Sequence, residues 1–222
     1  MSGALAADVA RAARLLAAAG LVEGFGHVSA RDGEGFVITS TAPLATMSPE
    51  DVAGPGAPER PLETPLHAAV YAARPDVGAI CRTHSPAAVA WGARGAAPPP
   101  VHGLGLLAGS VATGDDTDLV TDGDAGARAA AALGDADVLL PRANGAVCTG
   151  RDLPEACVRA WFLEERARVA LDAGPAARPL DADELAARSR HLPMEIARAW
   201  RWLAWRFPGA DADPTRIQGE SP

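Results

Sequence analysis

Glu63-Thr-Pro-Leu-His67-Ala-Ala-Val-Tyr71 is followed by Arg74-Pro-Asp-Val77 and then by Arg82-Thr-His84-Ser-Pro86. The segment sets a carboxylate ahead of a helix, and then a short apolar strand that ends in polar groups. Pro65 suits the first turn of a helix, where its missing N–H is no loss. His67 and Tyr71 stand four residues apart, one above the other on a helix face. If residues 78–83 form a strand, Arg82 and His84 point the same way, because i and i+2 share a face.

Working outward, residues 4–19 are rich in Ala and Leu at helical spacing and end at Gly20. Residues 21–31 read as a turn and then a strand, with a hairpin turn at Gly33-Glu-Gly35 and a returning strand over Phe36–Ser40. Ser48-Pro-Glu-Asp51 suits a capped turn, and the Gly/Pro-rich residues 54–60 form a loop. Beyond the central segment, a helix is expected over 85–91, a Pro-rich loop over 96–100 and a helix over 122–133. Strands are expected over 138–140 and 145–148. Asp152-Leu-Pro-Glu155 resembles a capping box and opens a helix to about Leu171. Residues 174–183 read as a linker. A helical tail over 182–207 carries Trp200, Trp202 and Trp205, which suit docking on a neighbouring subunit or on the same one. The last dozen residues are expected to be disordered.

Composition narrows the chemistry. The 222 residues are 48% hydrophobic, which suits one large α/β domain with a helical extension. A net charge of −8 opposes a general nucleic-acid surface. No apolar run is long enough for a membrane span, and the N-terminus lacks the pattern of a signal peptide, so a cytoplasmic protein is expected. Cys81, Cys148 and Cys157 have no CxxC spacing, which opposes a disulfide framework or zinc knuckle, and Cys81 and Cys157 read as buried core residues. All 20 basic residues are Arg. A Schiff-base aldolase, a pyridoxal-phosphate enzyme and a P-loop NTPase each need a Lys, so all three are excluded. The remaining proton carriers are His27, His67, His84, His102, His191, the lone Tyr71, the carboxylates and the thiols.

Each candidate carries two readings. Glu63 is a solvated helix-start carboxylate or an acid/base. His67 reads as a buried, hydrogen-bonded histidine. His84, at a strand end, is a ligand, an acid/base or neither. Arg82, near Glu63, forms a salt bridge or a carboxylate-binding fork. His27, after Gly26, and His102, after the Pro-rich loop, read as loop residues. Asn144-Gly145 reads as a hairpin turn.

Taken in order, Gly26-His27-Val-Ser-Ala-Arg31, Ile38-Thr39-Ser40, Glu63 with His67 and Tyr71, Arg74-Pro-Asp-Val77, Thr83-His84-Ser-Pro86, Asn144-Gly-Ala-Val147 with Gly150, and Glu155-Ala156 resemble the class II aldolase/adducin family. The resemblance covers roughly residues 5–175. It implies a three-layer α/β/α domain with a mostly antiparallel central sheet over residues 1–175, followed by the linker, helical arm and tail over 176–222. It also implies a homotetramer with the active site at a subunit interface. In the family a Glu acts as acid/base and three His hold zinc or manganese. Carried over, Glu63 is retained, while the three ligand positions hold Arg82, His84 and Asn144. One histidine cannot make a divalent site, which draws three or more protein ligands.

The Ser pair with which phosphosugar aldolases hold phosphate is replaced by Pro61 and Leu62. His27, His84-Ser-Pro86 and the His102 segment look more like the hydroxy-aromatic acid decarboxylase branch. The resemblance therefore implies a lyase, a decarboxylase or retro-aldol enzyme, acting on a small unphosphorylated carboxylate without the family metal. Glu63, Arg82, His84 and His102 would be catalytic, and His27, Ser40, Thr41 and Asn144 would bind substrate. Arg82 would cover the vacated metal position and pair with Glu63. Two alternatives stand beside this reading. One is a non-catalytic binding or scaffold homologue. The other is a zinc or manganese enzyme with ligands drawn from Glu63, His84 and His102.

Overall fold

The structure is a computed structural model that describes residues 3–211; the tail expected to be disordered lies almost wholly outside them. Helix α1 (Gly3–Ala18) buries Ala6, Val9, Ala10, Ala13 and Leu16, the stripe that its spacing predicts. Strands β1 (His27–Asp32) and β2 (Gly35–Thr39) form a hairpin in which Asp32 faces Gly35. The two-residue loop needs a positive φ, and Gly33 supplies it at 59°. Strand β3 (Val52–Ala53) pairs with β2. Helix α2 (Thr64–Ala73) leads to β4 (Ala79–Thr83), and α3 (Pro86–Ala93) follows with Pro86 in its first turn. Then come β5 (Val111–Gly114), α4 (Gly123–Leu133), β6 (Val138–Pro141) and β7 (Ala146–Gly150). Helix α5 (Leu153–Ala173) is followed by α6 (Ala182–Ser189) and α7 (Leu192–Arg206).

The seven strands form one sheet in the order β3-β2-β1-β4-β7-β6-β5. The sheet is mixed. Five pairings are antiparallel, and β5 runs parallel to β6. Side-chain alternation along β4 divides the core in two. Ala79 and Cys81 face α1, α3 and α5, while Ile80 joins Leu66, Val70 and Leu133 of α2 and α4 on the other face. Helices thus cover both faces, giving three layers. The three cysteines are buried and free, with Cys81 and Cys157 Sγ 3.8 Å apart across the β4–α5 contact.

The predicted start of α5 holds in half of its detail. Asp152 accepts from the Glu155 N–H at 2.9 Å. Glu155, however, returns to the Arg151 N–H and guanidinium rather than to the cap residue. The helical C-terminal arm consists of α6 and α7, and α7 packs on the same subunit. Ala199 and Leu203 of α7 are buried in the same cluster as α1 and α5. Burying a leucine such as Leu203 stabilises by about 2 kcal/mol. Trp200 stacks under the Arg11 guanidinium and Trp202 meets Trp161 edge-on. Trp205 remains 75% exposed. Among the described residues, no helix is long and apolar enough to cross a membrane.

Candidate functional site

Register brings the site together. His27 on β1 sits opposite Arg82 on β4, which sits opposite Val147 on β7. Directly paired residues share a face, so His27, Arg82 and Val147 lie abreast beneath α2 and α4. Glu63 occupies the N-cap position of α2, directly above this row. His27 therefore opens a strand and is buried, where a loop residue was expected; Gly26 marks the strand's entry rather than a mobile turn.

The Arg82 guanidinium donates through Nε to Glu63 Oε2 at 3.0 Å. Its Nη1 donates to the carbonyls of Thr83 at 3.2 Å and Ala146 at 3.4 Å. The other Glu63 oxygen accepts from the Val120 N–H at 3.4 Å. His27 Nε2 lies 3.5 Å from Glu63 Oε2. Gly145 makes the close packing possible. Its φ is 63°, and a Cβ there would stand 2.6 Å from Arg82 Nη1 and 3.0 Å from His84 Cδ2. Only glycine accepts both that backbone and that approach.

Behind His27 runs a buried chain of hydrogen bonds. His27 Nδ1 and His67 Nε2 are 2.7 Å apart. His67 Nδ1 is 2.7 Å from Ser29 Oγ, which is 2.8 Å from the Tyr71 hydroxyl. His67 is thus the buried, hydrogen-bonded histidine that its spacing suggests.

These surroundings set the charges. Burial alone would raise the Glu63 carboxyl, but the His27 hydrogen bond and the Arg82 charge overcome it and bring it down to about 2. At rest Glu63 is an ionised, weakly basic carboxylate. Burial holds His27 and, more strongly, His67 below the ordinary imidazole value. His84 is lowered by burial and by Arg82, against the pull of Glu63. Burial also pushes the Tyr71 hydroxyl up, beyond the usual phenol range.

Two cavities meet at Glu63 and Asn144. One, of about 430 Å³, is lined by Arg82, Leu139, Arg128 and an acidic run of Asp115, Asp116 and Asp118. The other, of about 500 Å³, is lined by His27, Ser40, Thr41 and His84, with Phe25, Leu62 and Leu119 at its rim. Those three apolar side chains are 79%, 71% and 52% exposed, an unusual density of bare hydrocarbon around polar groups. Of the eight residues picked from sequence, the structure brings together Glu63, Arg82, His84, His27, Ser40, Thr41 and Asn144. It does not bring His102, which lines neither cavity. The His102 ring lies beside Gly105 and Arg166, and its two nitrogens find no partner among the described residues. The sequence reading missed the Ser29–His67–Tyr71 connection, the apolar rim and the acidic run. The first was visible as His27/Ser29 two apart on a strand and His67/Tyr71 four apart on a helix.

A divalent ion does not fit the residues present. Among the described residues, no group of three or more His, Cys, Asp or Glu could hold one. The rearranged set of Glu63, His84 and His102 is not assembled within the chain. The space beside Glu63 is filled by a guanidinium that is 1% exposed, and a dication there would face a fixed positive charge in a poorly solvated site.

Comparison with known proteins places this arrangement. The Class II Aldolase and Adducin N-terminal domain matches residues 7–171. A 3,4-dihydroxyphthalate decarboxylase from Terrabacter sp. (strain DBF63) is 35% identical over 217 residues, covering 84% of this chain and 91% of the relative. A 5-methylthioribulose-1-phosphate/5-deoxyribulose-1-phosphate aldolase from Rhodospirillum rubrum is 33% identical over 172 residues, covering 70% and 75%. Both relatives are carbon–carbon lyases by name. Among solved structures, an aldolase II superfamily protein from Pseudomonas syringae superposes with a TM-score of 0.77 at 22% identity, covering 94% of each chain. Matched over most of its length in sequence and in fold, the chain belongs to the class II aldolase and adducin family.

Proposed function

We propose that the protein is a carbon–carbon lyase that decarboxylates a small, unphosphorylated hydroxy-aromatic carboxylate, with Arg82 standing where the family places its metal. The observation that carries this reading is the buried Arg82–Glu63 pair at the junction of two cavities. Arg82 borders one cavity, Glu63 borders both, and Phe25, Leu62 and Leu119 at the mouth of the second suit the faces of a planar ring. The 3,4-dihydroxyphthalate decarboxylase relative supports the aromatic substrate class. The Pro61-Leu62 pair before Glu63 opposes a phosphosugar.

A guanidinium on the departing carboxylate would stabilise the ground state and slow the reaction, because only interactions stronger in the transition state accelerate it. Arg82 is therefore assigned to the ring oxygen beside that carboxylate. A substrate oxygen that shares Arg82 weakens its grip on Glu63. Burial then dominates, and the Glu63 carboxyl rises and takes a proton. Glu63 delivers this proton to the ring carbon bearing the carboxylate, while the neighbouring hydroxyl gives up its own proton and becomes a carbonyl. The carbon–carbon bond then breaks, carbon dioxide leaves, and the electron pair flows to that oxygen. Arg82 meets the charge growing there. Proton return to the oxygen gives the phenol product, and the net reaction takes up one proton. His84, Asn144, Ser40 and Thr41 orient the ring substituents. The site functions in a homo-oligomer, whose neighbouring subunit closes the cavity mouth and satisfies His102.

The test is turnover of 3,4-dihydroxyphthalate and of simpler dihydroxybenzoates by the purified protein, read as carbon dioxide release and phenolic product. No turnover of any member, with the ligands still binding, favours the non-catalytic homologue, a reading to which the closed Arg82–Glu63 pair lends itself.

A further inference from the structure

We propose that Tyr71, Ser29 and His67 form a one-way hydrogen-bond relay that locks His27 as a fixed Nε2–H donor aimed at Glu63, and that cannot itself deliver a proton. The role assigned to His27 rests on the decarboxylase reading; the direction of the relay does not.

The direction follows from counting donors. Four links join five side chains, Tyr71–Ser29–His67–His27–Glu63. In the forward order the Tyr71 O–H donates to Ser29, Ser29 to His67 Nδ1, His67 Nε2–H to His27 Nδ1, and His27 Nε2–H to the Glu63 carboxylate. Every donor then has an acceptor, and both rings are neutral Nε2–H tautomers. In the reverse order His27 would turn a bare Nε2 lone pair on an anion 3.5 Å away. The Tyr71 O–H would also be stranded, since among the described residues Ser29 is its one hydrogen-bond partner and the group over its ring is the Arg31 guanidinium, a cation 4.9 Å from the centroid. Inside a buried network an unsatisfied donor or a lone pair facing a carboxylate is strongly disfavoured. Only the forward order satisfies the whole chain.

The same count limits what the relay can do. Were His27 to release its Nε2 proton into the site, the refilling protons would have to step along the chain. The last step would leave Tyr71 as a buried phenolate. His27 is therefore a hydrogen-bond donor to the Glu63 carboxylate rather than the acid, and the proton for ring carbon is left to Glu63. His67 and Ser29 are positioning residues that act through His27, as the third member of a hydrolase triad acts through its histidine.

The test is two-dimensional 15N–1H NMR of the histidine-labelled full-length protein, with the His27 signals assigned by their loss in His27→Gln. The expected result is the neutral Nε2–H pattern for both His27 and His67. His67→Gln keeps an amide donor toward His27 Nδ1 and should leave His27 in the Nε2–H form. His67→Leu, and independently Ser29→Ala should the leucine variant fail to fold, should give His27 mixed tautomers. Each should lower kcat by about ten- to a hundredfold with KM little changed, by analogy with removal of the hydrogen-bond partner of a metal-bound histidine. An Nδ1–H form of His27 in the wild-type protein overturns the relay, whatever the activity. So does His27 staying Nε2–H in every variant, which marks the network as mere structural support. Nε2–H in the wild type and mixed tautomers in the variants, with no turnover of any aromatic acid, sustains the relay and sinks the decarboxylase reading instead.

Discussion

Arg82 and Glu63 hold each other at 3.0 Å with 1% and 7% of their side chains exposed. Each satisfies a charge that the other would otherwise bury alone. Removing one partner of such a pair destabilises by about 3–5 kcal/mol. Arg82→Ala should therefore lower the urea midpoint sharply and abolish decarboxylation. Adding Glu63→Gln should recover much of the stability and none of the activity. Equal instability of the single and double variants would show that the pair is not the linchpin described.

If Arg82 stands in for the family metal, activity should survive prolonged chelation, and purified protein should hold well under one equivalent of zinc or manganese by elemental analysis. Arg82→His combined with Asn144→His should gain metal binding, measurable by calorimetry. Loss of activity on chelation, reversed by added metal, contradicts the assignment.

Acid should weaken the fold in two stages. Burial holds the folded-state values of His27, His67 and His84 below the ordinary 6.5. As pH falls below 6.5 the unfolded chain takes up protons that the folded chain refuses, so stability present above that pH declines. Glu63 follows lower down. Its contribution is complete above the ordinary 4.5 and is lost as pH falls toward about 2. Denaturant titrations across this range should show both declines, and Glu63→Gln should remove most of the second.

Gly145→Ala should disable the site from outside it. The new methyl group would lie 2.0 Å from the Thr83 carbonyl and 2.6 Å from Arg82 Nη1, on a backbone at φ 63°. Strain and overpacking together should cost at least about 2 kcal/mol, and a crystal structure should show Arg82 displaced from Glu63. Unchanged activity and melting temperature would refute the close approach.

Trp205 is the one tryptophan of the arm that finds no cover within the subunit. If it lies at a contact between copies, light scattering should report an oligomer, and Trp205→Glu should shift it toward smaller species. A wild-type monomer at micromolar concentration removes the assembly from the proposal.

Much of the architecture was legible because local chemistry decides it. Asp152 caps α5, Gly33 turns the first hairpin, and the alternation of Ala79 to Arg82 sorts β4 between two cores. Strand β5 was not legible. It has four residues, ends in Gly114 and lies half-buried at the sheet edge, so neither alternation nor an apolar run marks it. Its parallel pairing with β6 is what makes the sheet mixed. The members of the site were legible as motif positions, but their ionisation was not. That Glu63 is held acidic depends on Arg82 and His27 arriving from β4 and β1. The place of His102 outside both cavities was not legible either, since a Pro-rich loop gives no clue to where it sends its side chain.

The cation in this site is translated with the chain. Arg82 is present in every copy at the moment of synthesis, sealed beneath α2 and bonded to a strand. It is not drawn from a cellular pool, exchanged for a competing ion, or stripped by a sequestering host. Scarcity of transition metals leaves its charge untouched. A cell carrying this chain would hold a site whose central positive charge has no supply line to interrupt.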